Sequence, residues 1–469
     1  MYGGVNMSAD IELMAHLMRR AGFGATREEL EERVKVGYEA TVEELLDPDS
    51  QPAVDRWEIM RYQPWAFRSG TIQNFGSAEW LQAMIASKRP LQEKLALFWY
   101  MLIPTGVAKT DHYQNENRRI HEFKEIGMGK FEDILIATAK SPGMLFYLDN
   151  IENTATAVNE NWGRELLELF SMGVGNYTEV DVREASRAFT GWTYELMLPR
   201  GPVGRHDQDF IYKPELHDDG EKTFLGQTGN FNGDDIIRII LEQPATAQFL
   251  ARHLYNFFVA DEVQVPAWGV TPPRDEDAVD ALADALIETD YDIKHTLRVL
   301  FNSEFFKNAR FEKIKNPAEI VVSTLRMVGG YEKPFPGLGD MSRQYGYMGQ
   351  DLLNVPSVEG WHYGAEWINS GSLMRRINFT ADMFGDASKP GVQNIINRVK
   401  QGGKLSPEQL VDTCLDLMGP LDVTEASKAE LIAYAQEEGD LDCSSDDNCE
   451  IRITELLQLI VSLREFQYA

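Results

Sequence analysis

Residues 90–102 read PLQEKLALFWYML, and this stretch gives the clearest indication of the fold. Pro90 stands where the first residue of a helix is expected, because its fixed backbone angle suits a helix and its missing amide is not needed there. Capping boxes, which satisfy the free amides of a helix start, predict two further helices. They pair Thr26 with Glu29 and Thr41 with Glu44. Such signals recur along the chain, so the sequence predicts a mainly α protein with one large multi-helix body.

Two regions lack helical periodicity and are rich in glycine and proline. The first covers residues 192–232, and the second covers residues 329–371. Within the first, residues 209–226 are typical of a small hairpin, because two short apolar pieces flank an Asp-Gly turn. We therefore expect a small β-hairpin excursion near 193–226. Long ordered excursions from a helical body are more often functional than structurally necessary.

The composition excludes several classes of function. The chain has 469 residues, with 45 basic and 74 acidic side chains and a formal charge of −29. Binding to nucleic acid or to anionic membranes needs a surplus of Lys and Arg, so we expect neither. No segment has the roughly 18 consecutive apolar residues that membrane insertion requires. The first residues lack the pattern of a signal peptide, which favours a cytoplasmic protein.

The last part of the chain is unusually acidic. Residues 401–469 contain 15 acidic and 4 basic side chains, and the acidic groups are densest in residues 437–450. That run is either a calcium-binding loop, since carboxylates supply oxygen ligands, or a solvated loop between helices. Cys443 and Cys449 lie within it at a spacing that allows a local disulfide, if the protein meets an oxidising compartment.

The densest candidate site is the segment NENWGRELLELF, residues 159–170. At 100° per residue, Asn161, Glu165 and Glu168 share a polar arc of roughly 60°. A separate apolar arc holds Trp162, Leu166, Leu169 and Phe170. Glu165 borders the apolar arc, so partial burial would raise its pKa and suit it to acid–base catalysis. Two carboxylates three positions apart can also chelate a metal ion.

The same helix has an interpretation that involves no chemistry. Glu160, Arg164 and Glu168 follow one another at intervals of four residues, which is the spacing of a salt-bridge ladder along a helix surface. Asn159 can cap the start of this helix, which would run to Gly173. The sequence leaves open whether the acidic residues act on a ligand or only stabilise the helix.

A second candidate site is the turn of residues 217–222, His-Asp-Asp-Gly-Glu-Lys. His217 is a plausible acid–base group or metal ligand, because histidine changes its charge near neutral pH. Asp218 and Lys222 add a carboxylate and an amine to the same turn. A solvated Asp-Gly turn explains this segment equally well, so the alternative of a purely structural turn also stays open.

In combination, a series of short motifs resembles a large bacterial family known as domain of unknown function 1800. The motifs extend over nearly the whole chain. They are HLMRRAGFG (16–24), PLQEK (90–94), NEN (159–161), RELLELF (164–170), GVGNYT (173–178), FTGW (189–192), HD (217–218), KT (222–223), LG (225–226), MGQ (348–350) and GW (360–361).

The resemblance implies one continuous, mainly helical unit but no particular activity. On this basis we expect residues 1–385 to form a helical core with the β excursion, and residues 386–469 to form an acidic helical subregion packed on that core. Members of the family are commonly encoded next to a second family that looks like alkaline phosphatases and sulfatases. The resemblance therefore implies a phosphatase/sulfatase-like partner protein and, by association, an extracytoplasmic location.

Two functional hypotheses follow. The favoured one is a non-catalytic binding or assembly partner of the phosphatase/sulfatase-like protein, because two histidines of the family pattern are replaced here by Tyr100 and Leu102. The alternative is a hydrolase, acid–base or assisted by a divalent metal, built from the 159–170 helix and the 217–222 turn. Its candidate catalytic residues are Glu165, Glu168, Arg164, His217 and Asp218. The candidate binding residues are Asn159, Glu160, Asn161, Lys222, Trp192 and Trp361. This hypothesis requires the two segments to meet in one pocket.

Overall fold

The computed structural model describes residues 7–62, 74–110, 112–199, 206–444 and 448–469. Within these ranges the chain forms α-helices and two small antiparallel sheets. The prediction of a mainly α protein with a small β excursion is therefore confirmed. Every helix in the described part of the chain is too short or too polar to span a lipid bilayer.

The helices that precede the β excursion form the first part of the body. They are α1 (Met7–Arg20), α2 (Arg27–Val36), α3 (Tyr38–Leu45), α4 (Arg56–Tyr62), α5 (Asn74–Ala86), α6 (Pro90–Leu102), α7 (Val107–Thr110), α8 (Tyr113–Ile126), α9 (Phe131–Lys140), α10 (Pro142–Tyr147), α11 (Asn161–Glu168) and α12 (Glu179–Ala188).

The helices that follow the β excursion complete the body. They are α13 (Gly233–Leu241), α14 (Pro244–Phe258), α15 (Glu276–Glu288), α16 (Ile293–Asn302), α17 (Glu304–Lys307), α18 (Pro317–Val328), α19 (Leu338–Met341), α20 (Gln344–Tyr347), α21 (Ser370–Phe384), α22 (Pro390–Gln401), α23 (Pro407–Leu417), α24 (Glu425–Glu437) and α25 (Cys449–Ser462).

Two of the predicted helix starts are confirmed and one is wrong. Pro90 is the first residue of α6, and the capping box of Thr26 and Glu29 precedes α2. Thr41 instead lies inside α3, and its hydroxyl donates a hydrogen bond of 2.8 Å to the carbonyl of Gly37. The reason is that Gly37, at a φ of +102°, ends α2 and lets α3 begin at once. No break is left for a helix start at position 41.

Helix α6 is the centre of the core. Leu97, Phe98 and Trp99 are fully buried, because a helix that is apolar on all sides must be covered on all sides. The Trp99 ring stacks on that of Phe131 at 5.6 Å, and its indole donates a hydrogen bond of 2.9 Å to the carbonyl of Gly127. Burying an aromatic side chain of this kind contributes about 1.5–3 kcal/mol. This helix therefore fixes the packing of its neighbours.

The β excursion consists of two separate hairpins. Strand β1 (Trp192–Pro199) pairs antiparallel with β2 (His206–Tyr212), and their register sets Trp192 opposite Tyr212. Strand β3 (Lys222–Phe224) pairs antiparallel with β4 (Gln227–Gly229). Residues 200–205, which join β1 to β2, lie outside the described residues.

The location of the excursion was predicted correctly, but the pairing predicted for residues 209–226 is wrong. Residues 209–212 belong to β2 and pair back onto β1, so they do not pair across the Asp-Gly turn. The tight turn of the second hairpin is instead made by Leu225 and Gly226, which both have a positive φ. A short alternating strand has no local feature that decides which neighbour it joins.

The second irregular region, residues 329–371, packs back against α5 and α6. The Tyr345 hydroxyl donates a hydrogen bond of 2.8 Å to the carbonyl of Ser77, and Trp361 packs on Tyr100 at 5.9 Å. This region is therefore an ordered part of the body, and it delivers residues 357–363 to the neighbourhood of α11 and α14.

The C-terminal helices extend the same body. Arg398 on α22 pairs with Glu31 on α2 at 2.8 Å. Cys443 and Cys449 form a disulfide with a Cα–Cα distance of 5.2 Å. Residues 445–447 of the acidic loop lie outside the described residues. The division of the chain at residue 385 stays a prediction.

Candidate functional site

A cleft of about 770 Å³ opens beside α11. Its walls come from α11, from the loop that follows it, from the start of α14, from residues 265–273 and from residues 357–359. Three carboxylate residues and several large apolar residues line it. They are Glu165, Glu168 and Glu359 with Leu169, Met172, Phe249 and Trp268. A concave, largely apolar site with a few charged groups is the usual form of a ligand-binding site.

Helix α11 points its two carboxylates at this cleft because its other side is buried. Trp162, Leu166 and Leu167 pack into the core, as the apolar arc predicted for Trp162 and Leu166. Glu165 and Glu168 are left on the side that faces the cleft. The helix is shorter than expected, because it ends at Glu168 rather than near residue 173.

Asn159 and Asn161, both candidate binding residues, organise the start of α11. The side-chain oxygen of Asn159 accepts a hydrogen bond of 2.9 Å from the backbone amide of Asn161. The side-chain nitrogen of Asn161 donates a hydrogen bond of 3.4 Å to a carboxylate oxygen of Asp149. Neither asparagine lines the cleft among the described residues. The structure therefore gives them a role in positioning the helix.

Glu165 has an unusual environment for a carboxylate. Its carboxylate has no hydrogen-bond or ion-pair partner among the described residues, although the side chain is half-buried. Its pKa is raised to about 7, first by burial and then by the charge of Glu168, while Arg164 opposes both effects. A carboxyl group with a pKa near neutral pH can donate or accept a proton under ordinary conditions.

Glu168 is fixed by a neighbour and is not part of the predicted ladder. The hydroxyl of Tyr177 donates a hydrogen bond of 3.0 Å to its carboxylate. The pKa of Tyr177 is raised, first by burial and then by this hydrogen bond to Glu168. The two carboxylates of α11 therefore differ, since one is held by a phenol and the other has no partner in the described part of the chain.

Arg164 and Glu160 form an ion-pair network outside the cleft. The guanidinium of Arg164 contacts Glu179 on α12 through two bonds of 2.9 and 2.7 Å, and it lies 3.4 Å from Glu160. The predicted pair of Arg164 with Glu160 is thus present. Because its donors are directed to Glu179, Arg164 is poorly placed to stabilise an anion beside Glu165.

The opposite wall of the cleft contains residues that the sequence did not single out. Arg252 pairs with Glu262 at 2.9 Å and covers the Trp268 ring at 4.5 Å. His253, which is not among the described residues that line the cleft, packs between Phe249 at 4.4 Å and Trp268 at 4.5 Å. Burial and the charge of Arg252 lower the pKa of His253 to about 3, so this histidine is neutral. The one available signal was an Arg-His pair within the apolar helix α14.

A much smaller pocket adjoins the main cleft, with which it shares Leu169 and Glu359. Leu102, at a position where the family pattern has a histidine, lines it together with Trp361. Trp361, a candidate binding residue, therefore lies beside the cleft. Tyr100, at the other replaced position, is buried and donates a hydrogen bond of 2.6 Å to the carbonyl of Thr105.

The 217–222 turn forms a cluster of its own. The Nδ1 atom of His217 lies 2.8 Å from the carbonyl of Thr190, and the ring packs on Tyr212 at 5.5 Å. Asp218 binds Arg187 at 2.7 Å, which lowers the pKa of Asp218 to about 2. The amine of Lys222 donates hydrogen bonds of 2.6 and 3.0 Å to the carbonyls of Asp218 and Gly220.

The structure therefore does not bring all the predicted residues together. His217, Asp218 and Lys222 are not among the described residues that line the cleft of Glu165 and Glu168. Trp192 is buried between Phe189 at 5.0 Å and Phe210 at 5.2 Å, so it offers no exposed ring to a ligand. Of the predicted catalytic set, the cleft contains only the two carboxylates of α11.

No three side chains of His, Cys, Asp or Glu are grouped to hold a metal ion in the part of the chain that the structure describes. This applies to the described residues of the acidic loop at 437–450 as well as to the cleft. Glu359 and Glu366 instead flank His362, at 3.6 and 2.5 Å. The hydrogen bond to Glu366 raises the pKa of His362.

The fold and this cleft define a large, mainly α-helical protein with three carboxylate residues lining a ligand-sized cleft. The sequence model of a family described as "Protein of unknown function (DUF1800)" matches residues 16–468. The chain belongs to this family, as its motifs indicated. No curated protein and no solved structure matches it.

Proposed function

We propose that the protein is a non-catalytic binding protein and that the cleft beside α11 is its binding site. The observation that supports this most strongly is an open cleft of about 770 Å³ whose walls are largely apolar. Three of the side chains predicted for a hydrolase are meanwhile engaged elsewhere. Arg164 binds Glu179, Asp218 binds Arg187, and His217 is closed in by Thr190.

The rim of the cleft also favours binding to another protein. Val174 is 59% exposed and lines the cleft, and Val270, which follows the lining residue Gly269, is 88% exposed. Exposed aliphatic side chains beside a concave apolar site are typical of an interaction surface. Glu165 and Glu168 would then contact polar or cationic groups of the bound segment.

The partner that we propose is the phosphatase/sulfatase-like protein that the family resemblance implies. The association within the family supports this choice, because neither the fold nor the cleft identifies a particular partner. The protein would assemble with that partner and would leave any bond-breaking step to it.

The experiment is a binding measurement between the full chain and the phosphatase/sulfatase-like neighbour, both purified. We expect a complex at micromolar concentration that Val174→Glu weakens at least tenfold, because a charge on the rim must be desolvated on docking. Val36→Glu is the matched control, since Val36 is also 59% exposed and does not line this cleft. If no complex forms at micromolar concentration, the proposed partner is wrong. If Val174→Glu and Val36→Glu bind equally well, the cleft is not the binding site.

A second candidate function is acid–base hydrolysis at Glu165. The specific observation in its favour is a half-buried carboxyl with a pKa of about 7 and no partner among the described residues. Glu165 would act as the general acid or base, and Glu168, held by Tyr177, would tune its proton affinity. Such a site would work without His217 and without a bound metal.

The test of this second candidate is hydrolysis of p-nitrophenyl acetate, phosphate and sulfate by the purified protein between pH 5 and 9. We expect a rate that changes with an inflection near pH 7, that Glu165→Gln abolishes and that Glu168→Gln shifts to lower pH. Elemental analysis of the same sample tests the metal-assisted form. The candidate is ruled out if the wild type and Glu165→Gln hydrolyse these substrates at the same rate at every pH.

A further inference from the structure

A group of buried ionisable side chains lies apart from the residues that line the cleft. Its cations are Arg20, Lys94, Lys313, Lys315 and Arg376. Its carboxylates are Glu319, which is buried, and Asp261, which is partly exposed. The group joins two of the family motifs, because Lys94 of the 90–94 segment donates a hydrogen bond of 2.9 Å to the carbonyl of Gly22 in the 16–24 segment. Buried cations thus outnumber buried carboxylates in a chain whose total charge is −29.

Only part of this group is neutralised. Glu319 binds Lys94 and lies 3.8 Å from Arg20, while Asp261 binds Lys313 at 2.9 Å. Lys315 and Arg376 have no carboxylate partner among the described residues. The amine of Lys315 binds the carbonyl of Phe466 at 2.8 Å and covers its ring at 4.3 Å. The excess of positive charge is therefore concentrated beside Lys315 and Arg376.

Arg376 has free donors on one edge of its guanidinium. Its Nη1 atom donates a hydrogen bond of 2.8 Å to the carbonyl of Lys315 and lies 3.5 Å from the side-chain oxygen of Gln467. Its Nε and Nη2 atoms are buried and have no partner in the described part of the chain. These two N–H groups form the side-on fork that binds anions through two parallel hydrogen bonds.

Gln467, the neighbour of Arg376, adds a further unpaired donor. Its side-chain nitrogen is buried and has no partner among the described residues, and its oxygen faces Arg376. Arg376 is 0% and Gln467 is 3% exposed, so bulk water does not satisfy these donors. Buried donors are nearly always paired in native proteins, and three unpaired ones around an unneutralised guanidinium indicate a missing acceptor.

We propose that Arg376 and Gln467 hold a small anion, chloride or an oxyanion of the size of formate, in this buried site. The anion accepts hydrogen bonds from Nε and Nη2 of Arg376 and from the side-chain nitrogen of Gln467. It also supplies the negative charge that Lys315 and Arg376 lack. Because Gln467 belongs to the turn Glu465–Gln467 and Arg376 to α21, the anion fastens the end of the chain to the helical body.

A trapped water molecule is the alternative occupant, and it makes a different prediction. Water accepts hydrogen bonds but brings no charge, so stability would not depend on the kind of salt. The experiment compares the Tm of the full chain in bromide, chloride, formate and gluconate at constant ionic strength. Gluconate is too large for a closed site and serves as the reference anion.

We expect the Tm to rise by about 2–3 °C when about 100 mM bromide or formate replaces gluconate. This is the shift that a ligand produces in a chain of this length when it is present at roughly a hundred times its Kd. A rise in halide alone assigns a chloride site, and a rise in formate alone assigns an oxyanion site. Equal Tm values in all four salts overturn the proposal.

Two variants and one direct observation keep the test specific. Gln467→Met should lose most of the anion-dependent rise, whereas Gln82→Met, a change at another buried glutamine, should keep it. Crystals grown in bromide should show an anomalous peak within hydrogen-bond distance of Nε and Nη2 of Arg376. A variant of Arg376 itself, such as Arg376→Lys, is not needed and could fail to fold. The Tm of Gln467→Met and the bromide peak test the site without it. An anion effect that Gln467→Met leaves intact, or a peak only elsewhere, overturns the site.

Discussion

Replacing Glu165 by glutamine should make the protein more stable at pH 8 and leave its stability nearly unchanged at pH 5. The folded state holds the pKa of this carboxyl at about 7, against an ordinary value of 4.5. A carboxyl whose pKa is raised by folding favours the folded state while it stays protonated. That contribution is complete below the unfolded pKa and is lost as the pH rises towards the folded pKa. Glutamine stays neutral, so the variant does not suffer this loss.

The magnitude follows from the two pKa values of Glu165. At about 1.4 kcal/mol for each tenfold change in proton affinity, the full difference corresponds to roughly 3 kcal/mol between low and high pH. The carboxyl is only half-buried and solvent screens its charge, so we expect about 1–2 kcal/mol. Unfolding entropies of about 2.1 cal/mol/K per residue give roughly 1 kcal/mol per °C for 469 residues. The predicted gain for Glu165→Gln at pH 8 is therefore about 1–2 °C in Tm.

The assay is differential scanning calorimetry of the wild type and of Glu165→Gln at half-unit steps from pH 5 to pH 8. The difference in Tm should grow from pH 5 to about pH 7 and then level off, because the carboxyl is ionised in both states above its folded pKa. Glu168→Gln is the companion variant, because removing the charge of Glu168 should lower the pKa of Glu165 and move the transition to lower pH. A constant difference between Glu165→Gln and wild type at all pH values would refute the raised pKa, and with it the acid–base candidate.

Three further predictions concern stability, each measured as a Tm by calorimetry. Glu319→Gln should cost about 3–5 kcal/mol, or roughly 3–5 °C, because it leaves the buried Lys94 without its carboxylate; a loss below 1 °C contradicts this. Gly191→Ala should cost about 1–3 kcal/mol, since φ is +76° there and a Cβ would lie 2.5 Å from the carbonyl of Lys213; an unchanged Tm contradicts it. Cys443→Ser should cost about 2 kcal/mol in oxidising buffer, and no further loss should follow when a reductant is added.

The sequence predicted the features that depend on local periodicity. The two faces of α11 follow from the spacing of its residues, and this is why Glu165 and Glu168 could be assigned to one polar arc. The partial burial of Glu165 could be predicted for the same reason, because it borders the apolar arc. Pro90 likewise marks a helix start through its own backbone geometry.

The remaining features depend on contacts between distant segments. Phe249, Arg252 and Trp268 reach the cleft only because α14 and the segment after it pack against α11, and no periodicity encodes that packing. The 217–222 turn was grouped with α11 by the chemistry of its side chains, although its partners are Thr190 and Arg187. Pairing of β2 with β1 was missed because strand choice is decided by the fold as a whole.

Four of the family motifs lie in two parts of the molecule with different physical demands. Residues 164–170 and 173–178 supply Glu165, Glu168 and the rim of the cleft, where a polar side chain without a protein partner is available to a ligand. Residues 16–24 and 90–94 supply Arg20 and Lys94 to the buried ionic group, where a charge without a partner is costly.

A buried ion pair adds little net stability over apolar packing, but one misplaced element leaves its charges unpaired. We therefore infer that the motifs around Arg20 and Lys94 specify how α1, α6 and α18 meet. Replacing Lys94 and Glu319 together by methionines tests this: the helical content should persist while the near-ultraviolet signal of packed aromatic rings weakens. A double variant with an unchanged near-ultraviolet spectrum would mean that apolar packing alone fixes the arrangement. The carboxylates Glu165 and Glu168 make no such demand on packing, so any ligand or partner should be sought at the cleft that they line.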